Sequence, residues 1–400
     1  MPTPIPIAKV DIGSAEREAV LAVLESGWLV QGPKVAEFEK KIAELCGVPH
    51  AVAVTSGTTA LYCALKALGV GPGDEVIVPA FTWVATANAV EICGAKAVFC
   101  DIDLATFNVT PEVVANCITS RTVGIVPVHK FGLLADMTGI MAVAERHGLW
   151  VMEDAACALG GERDGIRPGQ LSQAACFSFH PRKSITTGEG GMIVTTNSEL
   201  AAQCQALRNH GASVTSAQRH GSKNAFLVTE FDQVALNFRL TDLQAALGIA
   251  QLSHFDQILS ERRRCANAYG SLLAKYDWLR LPHIPGGCVH PYQSYVALYA
   301  PETPTLENLP RLEEERNTLL ATLETMGIAT RQGTHAPVRL PVYQETRNIR
   351  PEEFPNAWMA HGLSIALPLY SGLAEADLQR VADALGTAGP HSAQHHRRAS

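Results

Sequence analysis

The sequence lacks an excess of positive charge. Its 400 residues include 39 aspartates and glutamates against 32 lysines and arginines, which gives a net charge of −7 at pH 7. Proteins that bind nucleic acids or anionic membranes usually do so through dense basic surfaces. We therefore expect neither kind of partner, and a small molecule is the expected ligand.

Long apolar runs are missing as well. No segment offers about eighteen uninterrupted apolar residues, the length that indicates a membrane-spanning helix. The opening residues, MPTPIPIAKVDIG, contain neither the basic nor the apolar part of a signal peptide. These absences predict a soluble, cytoplasmic protein.

The ten cysteines form no C-x-x-C pair and no cluster with histidines. This scatter argues against a zinc site and against a disulfide framework, so we expect no metal and mostly buried, reduced thiols. The phosphate-binding spacing G-x-x-x-x-G-K is absent too.

The composition that remains is that of a globular α/β protein, with 47% hydrophobic and 18% charged residues. The sequence predicts strands separated by helices, and these strands lie near residues 51–54, 75–78, 97–100, 124–128 and 149–152. This alternation predicts a largely parallel sheet, whose ligands collect at the carboxyl ends of the strands.

The length predicts two domains, because 400 residues exceed one ordinary core. A long helix should begin near Thr241 and continue through Ile258, which places the boundary near residue 250. The predicted units are a large ligand-binding domain (1–250), a small C-terminal domain (251–388) and a disordered tail (389–400).

Lys183 is the first candidate for chemistry. It lies between two strand-like runs, 175–179 and 192–195, with Pro181 and a glycine-rich stretch (188–191) in the connection. A lysine held between core strands is partly desolvated, which frees its amine to attack a carbonyl and form a Schiff base. The alternative is an ordinary surface lysine on a hairpin loop.

Two further segments could hold a charged ligand. Ser56 to Thr59 joins a strand to a helix, so backbone N–H groups and the positive end of the helix dipole face an anion there. Asp154 follows the strand at 149–153 and could hold a cationic ring nitrogen. The alternative for Ser56 is an ordinary helix cap, and the alternatives for Asp154 are a helix cap and a turn aspartate.

Seven motifs give the chain a resemblance to a known family: SGTTAL, PAFTWVATANAV, FCDID, EDAAC, CFSFHPRKSITTGEGGM, RNHGAS and NFRLTDLQAALG. Together they resemble the DegT family of sugar aminotransferases, which use pyridoxal phosphate (PLP), over about residues 7–385. The resemblance implies PLP fold type I, an α/β fold. A large PLP-binding domain has a mostly parallel, mixed seven-stranded sheet flanked by helices, and a smaller α+β domain follows.

The resemblance also implies roles for residues. Lys183 would form the Schiff base with PLP and Asp154 would pair with the ring nitrogen. Trp83 would lie against the ring face. The phosphate would be bound by Ser56, Gly57, Thr58 and Ser178, and by Asn237 from a neighbouring subunit, which implies a homodimer with shared active sites.

Cys157 departs from the commoner family pattern. Many members have a glutamine at this position, near the ring hydroxyl, and a thiol is a weak hydrogen-bond donor. We interpret the cysteine as subfamily variation, which leaves open what contacts that hydroxyl.

The implied reaction moves an amino group from an amino acid, with L-glutamate as the expected donor, to a keto-sugar. The expected acceptor is a nucleotide-linked 4-keto or 3-keto 6-deoxyhexose. The candidates for contacts with it are His129, His180, Tyr292 and His335, each of which could also be an ordinary packed loop residue.

Three alternatives remain open at this point. A PLP-dependent sugar dehydratase shares the fold, but such relatives resemble this chain with histidine at the position of Lys183. A PLP-binding regulator or scaffold without turnover would be indicated by the loss of Lys183 or Asp154, and both are present. A transaminase could also act on a cyclitol or an aminobenzoate precursor.

Overall fold

A mixed seven-stranded sheet is the centre of the fold. The computed structural model describes residues 3–212 and 230–390. The sheet consists of β1 (His50–Val54), β2 (Glu75–Pro79), β3 (Lys96–Cys100), β4 (Thr122–Ile125), β5 (Trp150–Asp154), β7 (Ala174–Ser178) and β8 (Gly191–Thr195), while β6 (Glu162–Arg163) lies outside it. The strand order is β1-β8-β7-β5-β4-β2-β3. Only β8 runs antiparallel to its neighbours, so the predicted mostly parallel, mixed sheet is confirmed.

Both faces of the sheet are covered. The helices of this part are α1 (Ser14–Ser26), α2 (Pro33–Cys46), α3 (Gly57–Ala67), α4 (Ala85–Ile92), α5 (Pro111–Asn116), α6 (Met137–His147), α7 (Ser198–Leu207) and α8 (Asp242–Ser253). Neighbouring strand residues belong to different apolar clusters: Cys176 lies in one and Phe177 in the other. Since successive side chains of a strand point to opposite faces, apolar side chains cover both faces of the sheet, as in buried parallel strands.

The C-terminal part has its own small antiparallel sheet, ordered β12-β11-β9. Its strands are β9 (Leu279–Arg280), β11 (Tyr295–Tyr299) and β12 (Ser364–Leu367), while β10 (Cys288–Val289) pairs with β6. Its helices are α9 (Phe255–Leu273), α10 (Leu309–Thr325), α11 (Pro341–Arg347), α12 (Pro355–Leu363) and α13 (Glu375–Ala388). The predicted tail lies, from residue 391 onwards, outside the described residues.

The long helix predicted from Thr241 through Ile258 is wrong. Thr241 does cap α8, through a hydroxyl that accepts from Gln244 N. However, α8 ends at Ser253, and His254 leaves the helical region at φ −124° and ψ 24° before α9 begins. The proposed domain boundary near residue 250 stays a prediction.

The carboxyl ends of the parallel strands bring the candidate residues to one edge of the sheet. Ser56 follows β1, Asp154 ends β5, Ser178 ends β7 and Lys183 follows it. Within the described residues, no helix is long and apolar enough to cross a membrane.

Candidate active site

Lys183 lies in the turn between β7 and β8, as predicted. Its backbone N–H donates to His180 O at 2.8 Å, which tightens the turn. The side chain is half-buried, and its Nζ donates to Cys157 Sγ at 3.1 Å. The hydrogen bond to Cys157 thus holds the amine at the edge of the sheet. Because the side chain is only half-buried, a ligand can still reach the amine there.

Asp154 is oriented by two donors. Its side chain is buried, with Thr86 Oγ1 donating to Oδ2 at 2.7 Å and Ala156 N donating to Oδ1 at 3.2 Å. Thr86 belongs to α4, and its hydroxyl also contacts that of Thr82 at 2.9 Å. We did not predict Thr86 from the sequence, and the only signal was this pair of threonines four residues apart in PAFTWVATANAV.

The first turn of α3 lies against the end of β7. Ser56 caps the helix by accepting from Thr59 N at 3.1 Å, so the cap considered as an alternative is present. The first N–H groups of any helix have no acceptor within it, which leaves those of Gly57 and Thr58 for an anion. A Cβ added to Gly57 would lie 2.8 Å from Ser178 Cβ, so only a glycine permits this close approach.

These three groups fit PLP. The cofactor offers a carbonyl carbon to an amine, a ring nitrogen to a carboxylate and a phosphate to backbone donors. Lys183, Asp154 and the start of α3 supply those partners at one sheet edge, and a cavity there is lined by Cys157, Ser178 and Lys183.

Trp83 and His335 lie together beside this edge. The Trp83 side chain is 59% exposed, and its ring meets that of His335 edge to face at 5.6 Å. His335 Nδ1 is buried and has no hydrogen-bond partner among the described residues. Behind it, burial lowers the pKa of His361 to about 3, so that ring is neutral at ordinary pH.

His129 is fully buried, and both of its ring nitrogens are in use. Nε2 contacts Glu153 Oε2 at 2.6 Å, and Nδ1 accepts from Ala135 N at 3.2 Å. Because Nδ1 accepts, the proton is assigned to Nε2, which donates to the carboxylate. No ring atom is left for a substrate, so His129 is a structural link between the ends of β4 and β5.

His180 and Tyr292 lie in loops near the Lys183 turn. Partial burial lowers the pKa of His180, whose Nδ1 accepts from Arg182 N at 3.2 Å. Tyr292 stacks on His290 with ring centroids 4.1 Å apart. The Gln293 side chain donates to Arg182 O at 2.7 Å, which joins the loop of Tyr292 to the turn of Lys183.

Asn237 is exposed and contacts none of the other site residues within the described parts of the chain. Its Oδ1 accepts from Arg239 N at 3.2 Å, and it forms a bridge with Asn209. Arg239 in turn forms a bridge with Val54, the last residue of β1. The predicted contact of Asn237 with a partner's phosphate stays a prediction.

Comparison with known proteins gives a consistent result. The chain matches the DegT/DnrJ/EryC1/StrS aminotransferase family over residues 10–386. It is 39% identical to the GDP-perosamine synthase of Caulobacter vibrioides, with 95% of this chain and 97% of that protein covered. It is 31% identical to S. venezuelae DesV, solved in complex with a ketimine intermediate, with a TM-score of 0.86 and with 97% and 100% of the chains covered.

A third similar protein is Spr1654 of Streptococcus pneumoniae, which has been solved in a PLP form and a PMP form. Each form is 27% identical to this chain, and 97% of this chain and 98% of that protein are covered. The TM-scores are 0.86 for the PLP form and 0.87 for the PMP form.

Proposed function

Because the chain belongs to the DegT/DnrJ/EryC1/StrS family of sugar aminotransferases, which use PLP, we propose that it transfers the amino group of L-glutamate to a nucleotide-linked keto-sugar. The proposed acceptor is a 4-keto or 3-keto 6-deoxyhexose. The observation that carries the proposal is the meeting of Lys183, Asp154 and the start of α3 at one sheet edge. The name of one relative, GDP-perosamine synthase, supports a nucleotide-linked sugar.

The proposed mechanism assigns a task to each of these residues. PLP, when bound, supplies an electron sink that lets the donor carbon lose its proton. Lys183 Nζ would hold the cofactor and would move the proton of the donor carbon. Asp154, fixed by Thr86, keeps the ring nitrogen protonated. The N–H groups of Gly57 and Thr58 bind the phosphate, and Trp83 covers the ring and excludes water.

The acceptor side is proposed to involve His335. Its unsatisfied Nδ1 is a polar group beside the exposed Trp83 ring, where a sugar hydroxyl or carbonyl could bind. Tyr292 and His180 lie in loops beside the Lys183 turn and are further candidates for contacts with the acceptor. His129 has no role in this proposal, since its nitrogens are satisfied internally.

The test is a panel of keto-sugar nucleotides, generated in place and incubated with the enzyme and L-glutamate. A product in which an amino group replaces the carbonyl oxygen supports the proposal, and product masses identify the acceptor. Amination of a cyclitol alone would contradict the acceptor class. Loss of a hydroxyl without gain of nitrogen would indicate a dehydratase, which the presence of Lys183 argues against.

We also propose that two chains share each active site through Asn237. The side chain is exposed and lies among exposed apolar residues, including Phe231, Val234 and Leu236. Exposed apolar groups of this kind favour an interface, here with a second copy of the chain.

A further inference from the structure

Lys130 is a buried lysine whose ammonium has no hydrogen-bond or ion-pair partner among the described residues. The residue is 6% exposed, and its Nζ lies 5.2 Å from the centre of the Phe81 ring and 5.0 Å from that of Phe131. In the part of the chain that the structure describes, no carboxylate forms an ion pair with Lys130. Ring faces attract a cation only weakly, and burying an unpaired charge is costly. The three N–H donors of this side chain are therefore free to meet a ligand.

The turn that carries Lys130 is firmly held. The backbone N–H of His129 donates to Asp154 O at 3.0 Å, and that of Lys130 donates to Asn108 Oδ1 at 2.9 Å. Phe131 has a φ of 55°, a left-handed conformation that is unfavourable for an aromatic residue. Strain of this kind persists where the surroundings fix the backbone, as they do here.

This turn packs directly on Cys157. A Cβ added to Gly132 would lie 3.0 Å from the Cys157 carbonyl oxygen. Cys157 Sγ in turn accepts from Lys183 Nζ at 3.1 Å. Lys130, Cys157 and Lys183 therefore come from adjacent turns at the carboxyl ends of β4, β5 and β7.

The charges around Lys130 are those of the active site. Burial, assisted by the positive charge of Lys183, lowers the pKa of Lys130 to about 8, while Cys157 and Asp154 act in the opposite direction. Lys130 also lines a cavity together with His283 and His290. Burial lowers the pKa of His290 to about 3, so its ring adds no charge near neutral pH.

We propose that Lys130 is a cofactor-positioning residue whose ammonium faces the ring oxygen of PLP, the role that many family members give to a glutamine at the position of Cys157. In PLP the carbon that bonds the lysine amine is attached next to the ring carbon that bears this oxygen. Cys157 Sγ touches Lys183 Nζ and therefore lies beside this oxygen, and the turn that carries Lys130 packs on Cys157. Asp154 lies at the ring nitrogen on the other side. The inference rests on the proposed role of Lys183.

The proposal has a spectroscopic consequence. A cation beside the ionised ring oxygen opposes protonation of the link between Lys183 and the cofactor, so removing that cation should make protonation easier. In Lys130→Met holoenzyme, the apparent pKa of the visible absorbance band should rise by about one unit or more. Lys130→Arg keeps the charge and should titrate close to the wild type.

Two controls separate this inference from the proposed function. Wild-type holoenzyme must first carry cofactor that borohydride fixes to Lys183, because without that link the proposed function itself fails. Lys130→Met must also unfold at a temperature no lower than the wild type, which is expected since the lost ammonium has no ion pair. An unchanged absorbance pKa in a folded, cofactor-loaded Lys130→Met enzyme would overturn the inference.

A second variant covers the case in which Lys130→Met binds too little cofactor to titrate. Adding Cys157→Gln would restore an amide donor, so the double variant should regain about tenfold in PLP affinity, measured by equilibrium dialysis. Cys157→Gln in an enzyme that keeps Lys130 should raise the PLP affinity only slightly. Equal gains in both backgrounds would show that Lys130 and position 157 do not serve the same oxygen.

Discussion

At the scale of single residues, Thr86 influences the proposed reaction through one hydrogen bond to Asp154. Its hydroxyl donates to Asp154 Oδ2 at 2.7 Å in a buried setting. A hydrogen bond to a charged group contributes about 1.5 to 3 kcal/mol, so Thr86→Val should slow the half-reaction with glutamate by about ten- to a hundredfold. Single-turnover absorbance measures this rate. Thr86→Ser keeps the hydroxyl and should stay near the wild-type rate; equal losses in both variants would point to packing instead.

Lys183→Ala tests the covalent attachment of the cofactor. The variant should still bind PLP through its phosphate and ring, yet lose the borohydride-reducible adduct and all transaminase turnover. The measurement is the mass of the borohydride-treated protein and of its peptides. The peptide that contains Lys130, which is buried nearby, is examined as the alternative site of attachment. A reducible adduct that persists in Lys183→Ala would mean that the attachment point is elsewhere.

At the scale of secondary-structure elements, the sequence predicted best those strands whose ends are set by neighbouring residues. The runs predicted at 175–179 and 192–195 are β7 and β8 within one residue, because apolar strands ended by proline and glycine need no distant information. The break between α8 and α9 could not be predicted, since the apolar spacing continues through it. At the break, Ser253 Oγ donates to Ala250 O within α8, and His254 Nε2 lies 3.4 Å from Glu16 Oε1 of the distant α1. The contact with Glu16 belongs to a geometry that only the folded chain creates.

The same limit applies to the site. Lys183, Asp154 and the start of α3 could be proposed because each lies in a continuous motif of the resembled family. The bonds from Thr86 to Asp154 and from His129 to Glu153 join residues 68 and 24 positions apart. Lys130 likewise resembled any lysine in a loop until the fold placed it between two aromatic rings.

Glu75 fixes the start of β2 to neighbouring segments. Its carboxylate accepts from Thr119 Oγ1 at 2.5 Å, Arg121 Nη2 at 2.6 Å and Lys96 Nζ at 3.4 Å. The Thr119 hydrogen bond, with help from Arg121 and Lys96, outweighs the effect of burial and lowers the pKa of Glu75 to about 2. The charged form is thus favoured by folding.

Glu75→Gln should therefore destabilise the protein in a pH-dependent way. A lowered pKa stabilises the fold above the ordinary pKa of about 4.5, and this contribution is lost as pH falls towards about 2. We expect Glu75→Gln to lower the free energy of unfolding by about 1 to 3 kcal/mol at pH 7, and we expect this difference to shrink steadily below pH 5. Urea unfolding across this range measures it, with the exposed Glu25→Gln as the control. A difference that does not vary with pH would contradict the assignment.

At the scale of the whole molecule, the C-terminal part of the chain completes the site. The Asp101 carboxylate, just after β3, accepts from Asn356 N at 3.0 Å and Ala357 N at 2.8 Å at the start of α12. From another loop, the Gln293 side-chain amide donates to Arg182 O in the Lys183 turn. These contacts anchor the C-terminal part to the sheet. His335 belongs to that part and Trp83 follows β2, so the proposed acceptor pocket depends on this anchoring.

At the scale of the assembly, the proposal that two chains share each active site through Asn237 can be tested. Asn237→Ala should weaken PLP affinity by about ten- to a hundredfold, because a hydrogen bond to a phosphate is charge-assisted. Equilibrium dialysis measures the affinity. Asn267→Ala, an exposed asparagine on α9, is the matched control and should bind PLP normally. This experiment alone does not say which chain the asparagine serves.

Mixed dimers decide between the chains. When Asn237→Ala subunits are combined with Lys183→Ala subunits, one pocket of each mixed dimer has Lys183 from the first chain and Asn237 from the second. If Asn237 reaches the partner's phosphate, near-normal PLP affinity with a reducible Lys183 adduct returns at that single site. If it acts within its own chain, as the bridge from Arg239 to Val54 would allow, no such site forms although mixed dimers do. Because that site needs both chains, PLP should also tighten the dimer, which sedimentation with and without PLP measures.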